Sequence, residues 1–402
     1  MDLKFSEEYE VFRSELRAFL KVNWPPRGDE AALPSKQQQQ LFRERATQAG
    51  YYLRSVPNRY GGSEQPTDVL KVSIIAEEIE RAGAPAELRS SGLSMLTPTL
   101  LQHGSEEQCE RFIPPVLRDE ANWCQGYSEP GAGSDLASLK TRAELVDNEW
   151  VINGQKVWTS GANESDWMFC LCRTEPDAPK HAGISYLLVD MKTPGIEVRP
   201  MRQMTGTADF NEVFFTDVRV PAENLVGRRG EGWKIANTTL KHERDMIGDA
   251  SYHEILFENL LKLARERMRN GHPSIEDPHV RQQLAEIEAE ALAQRFSVYR
   301  QLTDKVRGES SGIVSLMNKL NTTELALKVT HLALELLDDD GLQAPGPEGN
   351  LMGAEPKGSA GWVSQGMWSL GLHIGGGTAH IQRNIIAERG LGLPREQPPK
   401  TD

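Results

Sequence analysis

The sequence is short of cysteine, of positive charge and of long apolar runs, and each shortage excludes something. Cys109, Cys124, Cys170 and Cys172 are the four cysteines of 402 residues, few for that length and suited to a reducing cytoplasm. Lys and Arg total 45 against 58 Asp and Glu, a formal charge of −13. That balance argues against a general nucleic-acid or membrane-surface role, because both partners are anionic. A phosphate-bearing cofactor stays open, since it needs only a local donor site. No apolar run approaches the roughly 18 residues of a membrane span. The opening MDLKFSEEYEVF lacks a basic stretch followed by an apolar one, so no export signal and a cytoplasmic location are expected. Neither a strand–GxGxxG–helix fingerprint nor a Walker lysine is present, so nicotinamide and ATP sites are not indicated.

What is present is ordinary globular material, 38% apolar and 26% charged. At about 150 residues per domain, the length suggests two to three domains. Phe5, Tyr9, Phe12, Leu16 and Phe19 recur on one face of a helix, with Ser6, Glu7 and Glu8 as its start signal. Further helices are expected over 35–49 and from Asp68 to Gly83, then a loop containing Pro98. Near residue 121 the texture alternates, with Asp147-Asn148 and Asn153-Gly154 as turn formers. Cys170-x-Cys172, in the run DWMFCLC, reads as strand core, because a metal would need further ligands nearby; no metal is expected. Helical periodicity returns over 233–269, 278–307, 313–338 and 362–389. The expected fold is α+β and multidomain: an N-terminal helical domain (1–120), a middle antiparallel β-barrel-like domain (121–230), a C-terminal four-helix bundle (231–395) and a tail (396–402).

The loop GYSEPGAGSDLAS at 126–138 crowds three glycines with Ser128, Ser134 and Asp135. Glycines let backbone approach a ligand closely, and the hydroxyls can donate to it. Ser128 to Asp135 resembles the signature of the acyl-CoA dehydrogenase family. Lys156-Val157-Trp158-Thr159-Ser160-Gly161-Ala162 is similar to that family's second conserved stretch, and GGTAHIQRNIIAERGLGLPRE at 376–396 to its C-terminal one.

The resemblance implies FAD as cofactor and α,β-dehydrogenation of an acyl-CoA thioester to the trans-2-enoyl-CoA. It implies that Gln125, Tyr127, Ser128, Ser134, Trp158, Thr159, Ser160 and Thr378 serve the flavin, with Ser134 also meeting the acyl-CoA. A weaker match to the family's pyrophosphate-binding Arg is Arg267, with Arg281 as alternative. Many members carry the catalytic Glu where this chain has Gly376, and no carboxylate stands in LHIGGGTAHIQ. A branch of the family, including isovaleryl- and long-chain-type members, places the base on the helix beginning near Gly232, matching Glu243-Arg244. From spacing alone, Glu243 falls on that helix's apolar face with Ala236, Leu240, Ile247 and Ala250. Glu243 is therefore expected to take the α-proton, its pKa raised by partial burial. Gly376 N–H is expected to polarise the thioester oxygen, and Arg244 to lie on the substrate side.

The resemblance also implies an electron-transfer flavoprotein as acceptor and a homo- or heterotetramer. Asp338 and Asp339 stand where members usually have a Gly pair near the pyrophosphate, which raises a second reading: a half-site or non-catalytic subunit of a heterotetramer. An oxygen-using acyl-CoA oxidase or flavin monooxygenase of the same fold is a third. Ser90 to Met95 falls where members shape the acyl-chain end, and its small residues favour a bulky or branched acyl group.

Overall fold

The computed structural model describes residues 6–88, 90–247, 251–309, 313–346 and 355–395, except the side chains of 244–247, 251, 305 and 315. The N-terminal domain is built from α1 (Glu7–Asn23), α2 (Ser35–Gln48), α3 (Val69–Arg81), α4 (Thr97–His103) and α5 (Glu106–Leu117). While α4 and α5 pack towards the middle domain, the amphipathic faces of α1, α2 and α3 meet in a cluster holding Leu16, Leu20, Phe42, Ala46, Ile74 and Ile79, with Tyr9, Phe12 and Phe19 packed against it. That is the stripe expected of the first helix; Phe5 lies outside the described residues. Ser6 occupies the N-cap but makes no side-chain cap bond, so the acidic first turn is the favourable start signal that remains. Asp68 caps α3 through the N–H groups of Leu70 and Lys71.

The expectation of a loop around Pro98 is wrong. Residues Gly92–Leu96 form a π turn that runs directly into α4. Proline normally breaks a helix by clashing with the carbonyl four residues back. Here the wider i→i+5 turn precedes it, with Thr97 N–H bonding to Gly92 O. Gly92 sits so close to Trp123 and Val116 that a Cβ would meet both at 3.0 Å.

The middle domain contains one eight-stranded sheet: β1 (Trp123–Gly126), β2 (Arg142–Val146), β3 (Glu149–Ser160), β4 (Trp167–Arg173), β5 (Ile184–Asp190), β6 (Ile196–Met201), β7 (Phe210–Pro221) and β8 (Leu225–Val226). Its order is β6-β7-β3-β2-β4-β5-β8, with β1 joined to β4. Pairings are antiparallel except β1–β4 and a single β2–β4 contact. Asp147-Asn148 makes the β2–β3 turn, both residues at positive φ. Asn153-Gly154, the other expected turn, instead lies inside β3 at a register shift against β7. Gly154 (φ 152°) is pressed against Thr141, where a Cβ would come within 2.6 Å of backbone; this is a bulge glycine, not a hairpin one.

Alternation along β4 and β5 divides the core in two. Phe169, Leu171, Tyr186 and Leu188 face the helices, packing with Leu96, Leu100, Phe112, Ile235 and Ala236. Met168, Cys170, Cys172, Leu187 and Val189 face Trp150, Ile152, Val213 and Val218. The two strand cysteines are thus interior side chains, as their setting suggested.

The C-terminal domain has α6 (Gly232–Ile247), α7 (Ser251–Glu266), a small ribbon β9 (Met268–Arg269) and β10 (His272–Pro273), then α8 (Pro278–Val306), α9 (Val314–Leu337), α10 (Gly358–Leu372) and α11 (Ala379–Ile385). The helix expected over 362–389 is therefore interrupted. Gly376 and Gly377 both have positive φ, and that loop re-aims the chain before Thr378 caps α11. Among the described residues no helix is long and apolar enough to cross a membrane.

Glu78, on α3, is buried among guanidinium groups. It accepts from Arg13 at 2.8 Å and from Arg17 at 2.8 and 2.9 Å, and it pairs with Arg81. Burial pushes its pKa up, but the Arg17 and Arg13 hydrogen bonds outweigh that and bring it from 4.5 to about 2. A carboxylate with a depressed folded pKa stabilises above its unfolded value and loses that contribution as pH falls. Glu78→Gln should lower stability at pH 7 by about 2–3 kcal/mol. It should also flatten the decline in stability between pH 4.5 and about 2, measured by urea unfolding across that range.

Candidate active site

The 126–138 loop is fastened at its base and open at its crest. β1 must end in glycine, because a Cβ at Gly126 would lie 2.3 Å from the Met168 sulfur. Glu129 and Ala132 exchange two backbone hydrogen bonds around Pro130-Gly131. The Glu129 carboxylate turns inward and accepts from Lys140 N–H at 2.6 Å, Thr141 N–H at 2.9 Å and Lys156 Nζ at 2.8 Å. Lys156, fully buried (0% exposed), also donates to Tyr127 O at 3.1 Å. Burial alone would raise the Glu129 pKa, yet Lys156 and these hydrogen bonds hold it below the usual value. The charge pair therefore bolts the first sequence motif to the second. Sequence reading missed it, since both residues looked like ordinary members of their motifs.

Beyond this bolt, Gly131 and Gly133 have no atom within 4 Å of where a Cβ would sit, and neither has a positive φ. Nothing in the chain itself requires glycine there, which suits a surface that something else approaches closely. Ser134 is exposed on this crest, while Asp135 is held by Ser138 and Lys180. Tyr127 sends its ring into the core, edge-on to Phe169 at 5.9 Å and Tyr186 at 6.3 Å. Its ring is therefore turned away from the loop; Ser128 is half-buried, its carbonyl accepting from Val157 N–H at 2.9 Å, and Gln125 is half-buried on β1.

Trp158 stands at an irregularity of β3, between Lys156 and Thr159. Its φ is 60° and its side chain is 61% exposed. A left-handed conformation costs a non-glycine residue about 1–2 kcal/mol, and an exposed indole regains none of it by burial. Such strain clusters at ligand sites. The ring meets Phe210 edge-on at 5.9 Å, and Phe210 stacks on Trp368 of α10 at 6.1 Å and 9°. An aromatic row thus links the sheet to the C-terminal helices. Thr159 is fully buried, its carbonyl accepting from Asn211 at 3.0 Å. The Thr159 hydroxyl and Trp368 Nε1 are buried and lack hydrogen-bond partners among the described residues. Ser160 is exposed.

The third part lies between α6, α9 and the glycine loop. On α6, Ile235, Ala236 and Thr239 are buried, and Glu243 continues this face with one carboxylate oxygen shut off from solvent. The inward face read from the spacing is thus present as far as Glu243; Ile247 and Arg244 have side chains outside the described ones, as does Ala250 altogether. Glu243 acts electrostatically on Tyr127 and on Lys319 of α9. Lys319 is 0% exposed and donates to Gly377 O at 2.8 Å and Leu372 O at 3.3 Å. Burial lowers its pKa and Glu243 opposes that, the net result being about 8. Gln382 Nε2 donates to Gly376 O at 3.2 Å, and Thr378 Oγ accepts from Ile381 N–H at 3.2 Å. The loop with Gly376 is therefore held at several points. Lys319 was not foreseen, although Asn318, Lys319, Thr322 and Thr323, polar residues in an apolar helix, are a visible signal.

Arg267 bonds to Asp340 and, at 2.8 Å, to Ser359, so its charge is already answered within the chain. Asp338 and Asp339 are exposed beside it, and Arg281 is exposed on α8.

Two glycine-bearing loops, an exposed indole at a positive φ and an inward carboxylate are thus the features that the described residues present. Residues 6–120, 124–218 and 230–391 match the N-terminal, middle and C-terminal domains of acyl-CoA dehydrogenase. The chain is 37% identical to acyl-CoA dehydrogenase IpdE1 of Mycobacterium tuberculosis, over 97% of this chain and 99% of that one. Among solved structures it resembles the ChsE4–ChsE5 complex from Mycobacterium tuberculosis, with TM-score 0.77 and 29% identity over 98% of this chain and 100% of the other. It also resembles the Tcur3481–Tcur3483 steroid ACAD, with TM-score 0.76 and 30% identity over 98% and 100%. The chain belongs to the acyl-CoA dehydrogenase family and is an oxidoreductase of that class. The expected three-part fold is borne out.

Removing one half of the buried bolt tests its weight. Lys156→Met leaves Glu129 charged and buried, and should cost about 3–5 kcal/mol. The double variant Lys156→Met/Glu129→Gln removes the buried charge and keeps an acceptor for one of the Lys140 and Thr141 N–H groups. Chemical denaturation should find it more stable than Lys156→Met alone.

Proposed function

We propose that the protein catalyses FAD-dependent α,β-dehydrogenation of an acyl-CoA thioester, with Glu243 as the base. The observation that carries this is the placement of the Glu243 carboxylate. It lies on the inward face of α6, within electrostatic reach of a lysine that grips the loop around Gly376. Gly376 itself offers no carboxylate, so the base must come from another element, and α6 supplies one.

The residues present fit a flavin: an exposed aromatic face at Trp158, open glycines at 131 and 133, and unmet polar atoms at Thr159 and Trp368. When bound, FAD supplies the acceptor for the hydride that leaves Cβ. Gln125, Tyr127, Ser128, Ser134, Trp158, Thr159, Ser160 and Thr378 would hold it, Tyr127, Ser128 and Ser134 through a loop whose rigidity comes from Glu129 and Lys156. Arg267 would serve only if its bond to Asp340 were exchanged. Glu243 removes the Cα proton, and the Gly376 N–H stabilises the charge that gathers on the thioester oxygen. Ser134 would also meet the acyl-CoA; the same role for Arg244, whose side chain lies outside the described ones, rests on the family resemblance alone. Likeness to a steroid ACAD, together with small residues at Ser90 and Ser91, supports a bulky, ring-bearing acyl group; an electron-transfer flavoprotein would take the electrons onward.

A second reading, in which a partner chain completes the flavin contacts, is favoured by one observation: Arg267 is committed to Asp340. Likeness to a two-component complex supports it too. Absorbance of the chain purified alone and with a co-expressed partner separates the two, because a yellow lone chain bleached by acyl-CoA needs no partner.

Glu243→Gln should keep its flavin and lose about 10²–10⁴-fold in rate, measured as anaerobic bleaching by acyl-CoA; a wild-type rate contradicts the assignment. Trp158→Gly removes an exposed side chain at a positive φ. Thermal unfolding without flavin should be unchanged or slightly higher, while flavin should be lost more readily on gel filtration. A marked loss of stability would show that Trp158 serves the fold instead.

A further inference from the structure

Lys319 spends a buried charge at the site, and its contacts say on what. An ammonium group out of water is costly unless it is hydrogen-bonded and faces a negative charge. Its Nζ has two carbonyl acceptors, Gly377 O at 2.8 Å and Leu372 O at 3.3 Å. These bracket the glycine loop, with Leu372 ending α10 and Gly377 preceding the cap of α11. Glu243, on the inward face of the neighbouring α6, is the carboxylate whose charge acts on it, opposing the fall in its pKa that burial causes.

We propose that Lys319 is a positioning residue for proton abstraction: it pins the loop that presents the Gly376 N–H, and its positive charge favours the ionised form of Glu243. This rests on the reading of Glu243 as the base. One cation then serves both sides of the reacting carbon. It fixes the donor that meets the thioester oxygen, and it supports the carboxylate that takes the proton. A neutral residue able only to donate hydrogen bonds would do the first task and not the second.

The other titratable groups around this pair are few among the described residues. Tyr127 faces Glu243 from the middle domain, and burial first of all raises its pKa, so it stays neutral. His373, at the end of α10, feels Lys319; burial lowers its pKa, with Glu324 opposing and Lys319, Arg383 and His380 adding to the fall. Lys319 itself keeps its charge below about 8, which spans the range in which a carboxylate titrates.

The test is the pH profile of kcat/KM for the flavin-loaded enzyme, with Glu243→Gln measured alongside. Lys319→Gln keeps a donor for the two carbonyls and loses the charge, Lys319→Met loses both, and Lys319→Arg keeps both. The acid limb should rise by about one pH unit or more in the Gln and Met variants and return towards wild type in Arg. Hydrogen exchange in 372–380, read by mass spectrometry without substrate, should quicken most in Met. An acid limb unmoved in a folded Lys319→Gln protein overturns the proposal while leaving Glu243 as the base, provided Glu243→Gln is inactive. An active Glu243→Gln overturns the underlying reading instead. Should neither neutral variant fold, the Glu243 carboxyl carbon in the wild-type protein carries the test by NMR. It should show a second inflection near pH 8 as Lys319 loses its proton, and a curve without one overturns the proposal.

Discussion

A carboxylate can act as a base inside a protein only if something nearby compensates for the water it has lost. That constraint organises the C-terminal half of this chain. Glu243 sits on the buried side of α6, where ionisation is costly without support. Lys319 brings an opposite charge from α9 and holds the glycine loop through the carbonyls of Leu372 and Gly377. With the proposed base on α6, position 376 is free to be glycine, and glycine is what that backbone needs: Gly376 and Gly377 both have positive φ.

The middle domain meets the same constraint with the same chemistry. Glu129 and Lys156 are buried together, and each is further satisfied by backbone groups of the loop they secure. Buried pairs of this kind contribute little net stability compared with apolar packing, but they tolerate no loss of one partner. What they add is position. The crest of the loop, with Gly131, Gly133 and Ser134, is presented from a base that cannot slide, beside an indole held at a costly φ. Rigid support under an exposed, strained edge is how a site keeps its geometry before its ligand arrives.

Much of the fold could be read from the sequence, because periodicity is a local signal. The stripe from Tyr9 to Phe19 behaves as read, as does the Asp147-Asn148 turn. The misreadings share one cause. Gly154, Gly92, Gly376 and Gly377 are glycines whose meaning depends on a neighbour distant in the chain or on an irregular turn. Local sequence predicts a hairpin at Gly154, a loop after Gly92 and helix interior at Gly376-Gly377, where the structure has a bulge, a π turn and a break. The candidate site divides likewise. Glu243 was legible because helix geometry places it on a face. Lys156 was not, since its partner lies 27 residues away and a lysine within a motif gives no sign that it is buried. The Gly377 partner of Lys319 lies 58 residues away, and its only sequence signal is the polar cluster Asn318, Lys319, Thr322 and Thr323 in an apolar helix.

The claim on which all this depends is that the Glu243 carboxylate meets the α-carbon of the substrate. A crystal structure with flavin and a non-reactive acyl-CoA analogue measures that directly. The account predicts a Glu243 oxygen about 3–3.5 Å from Cα, with the thioester oxygen directed at the Gly376 N–H. A carboxylate turned away from Cα, or another side chain standing in that place, would contradict it.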